Sequence, residues 1–214
     1  MRSPGPLDAP AWRLSTAKRA TWFALLLGIT AAMPPAGRAD ELKVWPSGPY
    51  SFSDELGGFR IEGVSGKGTR GDPIVLYEEM DSATPVTLTI RTIRPIVPFD
   101  PSGDYASGLM YMRIDALNNS GQPWVEFEFE LQSALGRPSD DSDGLSFDQR
   151  NTSPDNIRSG NYAEYHRDLR PFDRLLFKHG QVDPSKTAEF EFLVTDYTPR
   201  LTIYLLQEPR IPLM

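Results

Sequence analysis

The chain has 214 residues, with 22 basic against 29 acidic side chains, a formal net charge of −7, 20 prolines, 17 glycines and no cysteine. Without cysteine there is no disulfide framework, no thiol nucleophile and no thiolate metal site. The acidic balance works against nucleic acid and anionic membrane surfaces, because phosphate binding depends on clustered Lys and Arg.

The N-terminal stretch carries Arg2, Arg13, Lys18 and Arg19 against one acid, Asp8. Residues 20–33 follow as a 14-residue run without charge, shorter than the about 20 residues a bilayer core requires. Pro34 and Pro35 break that run, and Gly37-Arg38-Ala39 places small residues ahead of Asp40 where a signal peptidase reads them. The order predicts a cleaved signal peptide over residues 1–39, with no stable membrane insertion after processing. No twin-arginine pair precedes the run, and no cysteine follows it for lipid attachment. Exported chains of eukaryotes usually carry disulfides, so their absence points to a bacterial periplasm, with secretion beyond it as the wider case. Removing residues 1–39 takes away five of the 22 basic residues and one of the 29 acidic ones. The remaining 175 residues, a single domain over 40–214, then carry a net charge of −11.

Beyond residue 39 no long amphipathic helical period is found. Short runs near residues 50–52, 59–64 and 74–78 read as strands. Clear period-two alternation follows at 86–90 and at 110–116, where Met110, Met112, Ile114 and Ala116 share a face. In residues 124–131, Val125, Phe127, Phe129 and Leu131 point one way and Glu126, Glu128 and Glu130 the other, toward solvent. Residues 174–177 read as another short strand. At 188–194, Phe190, Phe192 and Val194 point inward, and at 200–205 Leu201, Ile203 and Leu205 do. The Glu-Phe-Glu-Phe likeness of residues 126–129 and 189–192 reflects strand chemistry and no duplication. Eight or nine antiparallel strands cannot bury their apolar faces as one open sheet. The expected fold is therefore all-β, a two-layer antiparallel β-sandwich, Ig-like or jelly-roll-like.

Two stretches interrupt the spacing. Residues 94–107 hold three prolines between two strong strands. Residues 133–170 read as a polar connection of 38 residues, in which Leu145 and Phe147 suit a short strand against the core. Connections beyond about 12–15 residues are usually functional or disordered, so this long loop is the expected functional region.

Three local patterns carry a likeness: Gly66-Lys-Gly-Thr-Arg-Gly-Asp-Pro-Ile-Val75, Asn118-Asn-Ser-Gly-Gln-Pro-Trp124 running into its strand, and Asp143-Gly-Leu-Ser-Phe147 with the closing Thr195-Asp-Tyr-Thr-Pro199. Together they resemble uncharacterised exported bacterial β-sandwich proteins, including sandwich domains of some cell-surface anchored proteins. The resemblance implies the fold and carries over no functional residue. This chain departs from the anchored kind at Ile211-Pro-Leu-Met214, which has no hydrophobic tail and basic stop.

No catalytic constellation stands out. Gly66, Gly68 and Gly71 match a dinucleotide fingerprint in spacing, but Asp72-Pro73 and a β-branched run follow where a helix is required, so they read as a hairpin loop. Met110 and Met112 with His166 and His179 suggest soft-metal ligation, yet both methionines lie on the core face beside Ile114. Ser, His and Asp occur between Ser153 and Asp168 without a nucleophile-elbow sequence. Asp140, Asp141 and Asp143 beside Gly144 are the sharpest local feature. Alternating oxygen ligands next to a glycine suit calcium, with Asp148 only roughly where a closing ligand belongs; a solvated acidic turn is the plainer reading. The function expected from these residues is an exported, non-catalytic binding or structural module, with a protein or glycan of the cell envelope as partner. The competing expectation is an envelope-polymer hydrolase using loop carboxylates.

Overall fold

Strands of alternating burial account for most of the chain between Trp45 and Arg210. The computed structural model describes residues 43–140, 142–150 and 153–212; the signal-peptide expectation for residues 1–39 lies outside them. Fourteen strands occur among the described residues. They are β1 (Trp45–Ser47), β2 (Tyr50–Ser53), β3 (Arg60–Ser65), β4 (Ile74–Met80), β5 (Val86–Thr92), β6 (Leu109–Asn118) and β7 (Glu126–Ala134). After them come β8 (Arg137–Pro138), β9 (Leu145–Phe147), β10 (Arg158–Ser159), β11 (Tyr162–Asp168), β12 (Arg174–Gly180), β13 (Thr187–Asp196) and β14 (Thr202–Arg210). A larger sheet runs β1-β2-β5-β14-β7-β12-β11, with β8 on β7, and a smaller one runs β10-β13-β6-β4-β3, with β9 also on β13. The two pack face to face as a β-sandwich.

The interior is built from the residues that alternation turns inward. Phe127 and Phe129 of β7 meet Phe190 and Phe192 of β13 across the layers, with ring centroids 4.6 Å apart for Phe127–Phe190 and 5.0 Å for Phe129–Phe192. All four are at most 1% exposed. Such ring pairs add about 0.5–1.5 kcal/mol each beyond the area they bury. Met110 and Met112 join this core at 3% and 1% exposure. The turn before β7 is tied by Asn118, whose side chain accepts from Ser120 N (3.1 Å) and donates to the carbonyls of Gln122 (2.8 Å) and Val182 (3.0 Å). Ser120 Oγ then accepts from the indole N–H of the fully buried Trp124 (3.2 Å). The Asn-to-Trp pattern is thus a structural turn. Gly66, at φ +92°, opens the β3–β4 hairpin loop, where a Cβ would lie 1.9 Å from the Pro73 carbonyl oxygen. The three spaced glycines serve that loop.

Four details depart from the sequence reading. β4 and β6 pair in parallel, from Ile74 opposite Met112 to Met80 opposite Asn118, within otherwise antiparallel sheets. Leu201 precedes β14 and is 70% exposed, so its strand begins at Thr202, two residues later than the 200–205 pattern suggests. Residues 133–170 are not one long loop: they carry β8 to β11, with Leu145 and Phe147 fully buried in β9 as expected. β9 and β10 lie end to end along the edge of β13, opposite Val194–Asp196 and Phe190–Glu191 respectively. Finally, the Glu126–Glu130 face is not open to water. Glu130 is 5% exposed, because Arg174 of β12 reaches it at 2.6 Å and Arg210 of β14 reaches Glu128 at 2.8 Å.

Candidate functional site

The outer face of the small sheet divides into two halves, and the register between β6 and β13 draws the line. Asp115 stands opposite Glu189 and Arg113 opposite Glu191, whereas Tyr111 stands opposite Leu193 and Leu109 opposite Thr195. In the charged half, Arg113 binds Asp115 (2.8 Å) and Glu189 (2.7 Å), and Arg158 binds Glu191 through two nitrogens at 2.8 Å. The other half is apolar and aromatic, and loops wall it in. Leu193 and Thr195 point outward from β13 yet are only 3% and 1% exposed.

One wall is the segment 94–107. Its two ends are laced together by Val97 N to Ala106 O (3.1 Å), Ala106 N to Pro95 O (3.1 Å) and Phe99 N to Ser107 O (2.8 Å). These bonds hold Phe99 at φ +63°, a conformation that costs a non-glycine residue about 1–3 kcal/mol. The cost is spent on a ring that is 54% exposed and lies 5.8 Å from the ring of Tyr197, the residue after β13. Tyr105, in the same segment, is 40% exposed. Opposite, the β3–β4 loop contributes Arg70, which donates to Asn156 Oδ1 (2.7 Å) and sits 5.8 Å from the Tyr111 ring centroid. Residues following β9 contribute Arg150, 4.8 Å over the Tyr197 ring.

Between these walls, Tyr111 lines three adjoining hollows of about 380, 220 and 200 Å³. Phe99 is shared by the first and third and Arg70 by the first and second, so the three form one groove. Lys67 and Tyr105 carry it on to Arg94 through a further hollow of about 440 Å³. The dimensions match those of small-molecule and oligomer sites. By contrast, the gap beneath Tyr50, Met110 and Ile203 is about 20 Å³, room for a water and no ligand.

Among the described residues neither Arg70 nor Arg150 has a carboxylate at ion-pair distance; their partners are rings and an amide. The carboxylates bordering the groove are engaged: Asp104 by Lys67 (3.2 Å), Glu191 by Arg158, Asp100 by Ser102 N (2.9 Å) and Asp148 by Asn156 Nδ2 (3.1 Å). Asp155 lines the outer end.

The residues singled out in the sequence lie elsewhere. Asp140 accepts from Ser142 N (2.9 Å) and Ser142 Oγ (2.5 Å), and these bonds hold its carboxyl below the usual carboxylate range. Asp143 accepts from Ser139 Oγ (2.7 Å) and Leu145 N (3.0 Å), with Arg200 3.6 Å away. Asp141 is outside the described residues, and among those described no group of three or more His, Asp or Glu side chains is arranged to hold a metal ion. Asp148 turns inward at 1% exposure. His166 pairs with Asp168 (2.9 Å) and His179 with Glu164 (3.3 Å), both exposed on the β11–β12 hairpin and away from the groove. The glutamates of β7 are paired in the larger sheet's outer face, and burial raises the carboxyl of Glu128. Glu78 of β4 is buried between the sheets with Gln207 Nε2 donating to it (3.0 Å), and burial pushes its carboxyl up to about 8.

No family model, curated protein or solved structure matches the chain. The groove itself was not read from the sequence, because its residues come from four separated segments. One signal was present: Phe99 and Tyr105 sit in the Pro-rich stretch 94–107, where nothing in the alternation explains an aromatic.

Proposed function

We propose that the protein is an exported, non-catalytic binding module of the bacterial cell envelope, acting in the periplasm or beyond it, and that its ligand lies in the Tyr111 groove. The observation that carries this reading is the strained, exposed Phe99 held over a groove in which, among the described residues, Arg70 and Arg150 have no carboxylate at ion-pair distance. Strain of this kind persists where the surroundings over-determine it, and it clusters at binding sites. A hydrolase would need two carboxyls converging across a cleft, or a histidine–carboxylate pair within one. Here the exposed histidine pairs lie on the β11–β12 hairpin, and of the carboxylates at the groove Asp100, Asp104, Asp148 and Glu191 are held by their own neighbours, which leaves Asp155 without a second carboxyl converging on it.

Two measurements test the parts separately. Protein recovered from outside the cytoplasm should begin at Asp40 by N-terminal sequencing; an intact Met1 there removes the export reading. Immobilised wild type should retain an envelope component, from protein or protease-digested glycan fractions, that Tyr111→Ala/Phe99→Ala fails to retain at an unchanged melting temperature. Equal retention by both removes the groove. Release of new reducing ends or new amines from the retained material would make the protein a hydrolase.

A further inference from the structure

Building on the groove as the binding site, we infer that its ligand is an acidic glycan, a chain of sugar rings bearing carboxylates, laid along the outer face of the small sheet. Charge is the first argument. Residues 40–214 carry a net −11, so guanidinium groups there have an excess of carboxylates to pair with. Arg113, Arg158, Arg174 and Arg210 all do so. Arg70 and Arg150 have no carboxylate at ion-pair distance among the described residues and lie on either side of the Tyr111–Tyr197 surface, over those rings at 5.8 and 4.8 Å from their centroids. A guanidinium fork held this way is prepared for a bidentate carboxylate. The acidic balance of residues 40–214 repels polyanions in general, so attraction depends on the groove's own cations.

The rings are the second argument. Phe99, Tyr105, Tyr111 and Tyr197 line a shallow groove of successive hollows, which suits flat units that repeat along a chain. The C–H faces of sugar rings lie on aromatic faces, while their hydroxyls reach the Tyr hydroxyls at the edges.

The backbone is the third argument, and it separates a glycan from an acidic peptide. An extended peptide gains affinity from main-chain hydrogen bonds at a free sheet edge. The groove floor is the Leu109–Tyr111 end of β6, which is bonded to β13 on one side, while on the other Tyr111 N donates to Gly68 O of the β3–β4 loop (3.0 Å) and Ser107 Oγ engages the backbone of Leu109; the far edge of β13 is occupied by β9 and β10. No strand edge is offered inside the groove. Recognition there must come from side chains.

The experiment is isothermal titration with three probes of matched length: an oligogalacturonate, its carboxyl-reduced neutral form, and an oligoglutamate peptide. The oligogalacturonate should bind, and the reduced form should bind about tenfold more weakly, the loss expected for a charged hydrogen bond. Arg70→Gln/Arg150→Gln should weaken the acidic probe by a similar factor and leave the neutral one unchanged, while Tyr111→Ala weakens both. Raising the salt should weaken the acidic probe alone. Equal binding of the neutral form overturns the acidic assignment and leaves the groove as a glycan site. Oligoglutamate binding as well as the glycan overturns the glycan assignment. Binding by none of the three overturns the inference, while groove-dependent retention of envelope material, measured separately, still decides whether the groove is a site.

Discussion

On the outer face of the large sheet, Glu126, Glu128 and Glu130 of β7 meet Arg210 of β14 on one side and Arg174 of β12 on the other. On the outer face of the small sheet, Arg70 and Arg150 meet Tyr111, Tyr197 and an amide oxygen. Both faces are what alternation leaves over once the core has taken its share. In the first, like charges stand opposite each other, Glu208 against Glu128, and the flanking arginines cancel them. In the second, positive charge is left uncancelled beside exposed rings. The first arrangement ties strands together; the second, among the described residues, leaves Arg70 and Arg150 without a carboxylate at ion-pair distance.

That contrast can be broken by measurement, beginning with a yardstick that belongs to neither face. Phe129→Ala should cost about 3–5 kcal/mol in urea unfolding, as truncations of buried aromatics do. Trimming either face must cost less, or the core has been misplaced.

The interior also sets the pH at which the faces should be compared. Glu78 has a carboxyl raised from 4.5 to about 8 by burial. Between those values the folded chain keeps a proton that the unfolded chain releases, so this group's contribution to stability is fully present below pH 4.5 and is lost as pH rises toward 8. Wild type should therefore weaken relative to Glu78→Gln by about 1.4 kcal/mol per pH unit across that window, or about 3 kcal/mol by neutral pH. A difference that stays flat with pH would mean Glu78 ionises freely.

Smaller effects distinguish the faces themselves. Glu130→Ala strands Arg174, but that guanidinium is 42% exposed and can turn to water. The expected cost is about 2 kcal/mol, below the about 3–5 for a fully buried pair. Arg70→Gln and Arg150→Gln should each change stability by less than about 0.5 kcal/mol, as changes at unpaired surface positions do. Comparable costs on both faces would show the groove arginines to be structural.

The sandwich was legible because its strong strands obey a period of two, a local property that any window of eight residues displays. Pairing partners are not local. Nothing in residues 74–80 announces that they run parallel to 109–118. Nor does residue 128 announce that its solvent face will be covered from residues 174 and 210. β11 escaped notice for a different reason: Ala163, Glu164, Tyr165 and His166 are all exposed, so a strand at the sheet edge has no buried side to write into its sequence. The groove was illegible on both counts, being assembled from residues 67–71, 94–111, 148–158 and 193–197.

The last of the described strands, β14, lies in the middle of the larger sheet, bonded to β5 on one side and β7 on the other. Until Thr202–Arg210 arrives, the β1-β2-β5 ribbon and the β7-β12-β11 ribbon have no common seam, and Leu88 and Leu131 lack the neighbour that joins them. A chain emerging N-terminus first from a ribosome therefore keeps the larger sheet as two separate ribbons until Thr202–Arg210 follows, like a zip whose slider is β14.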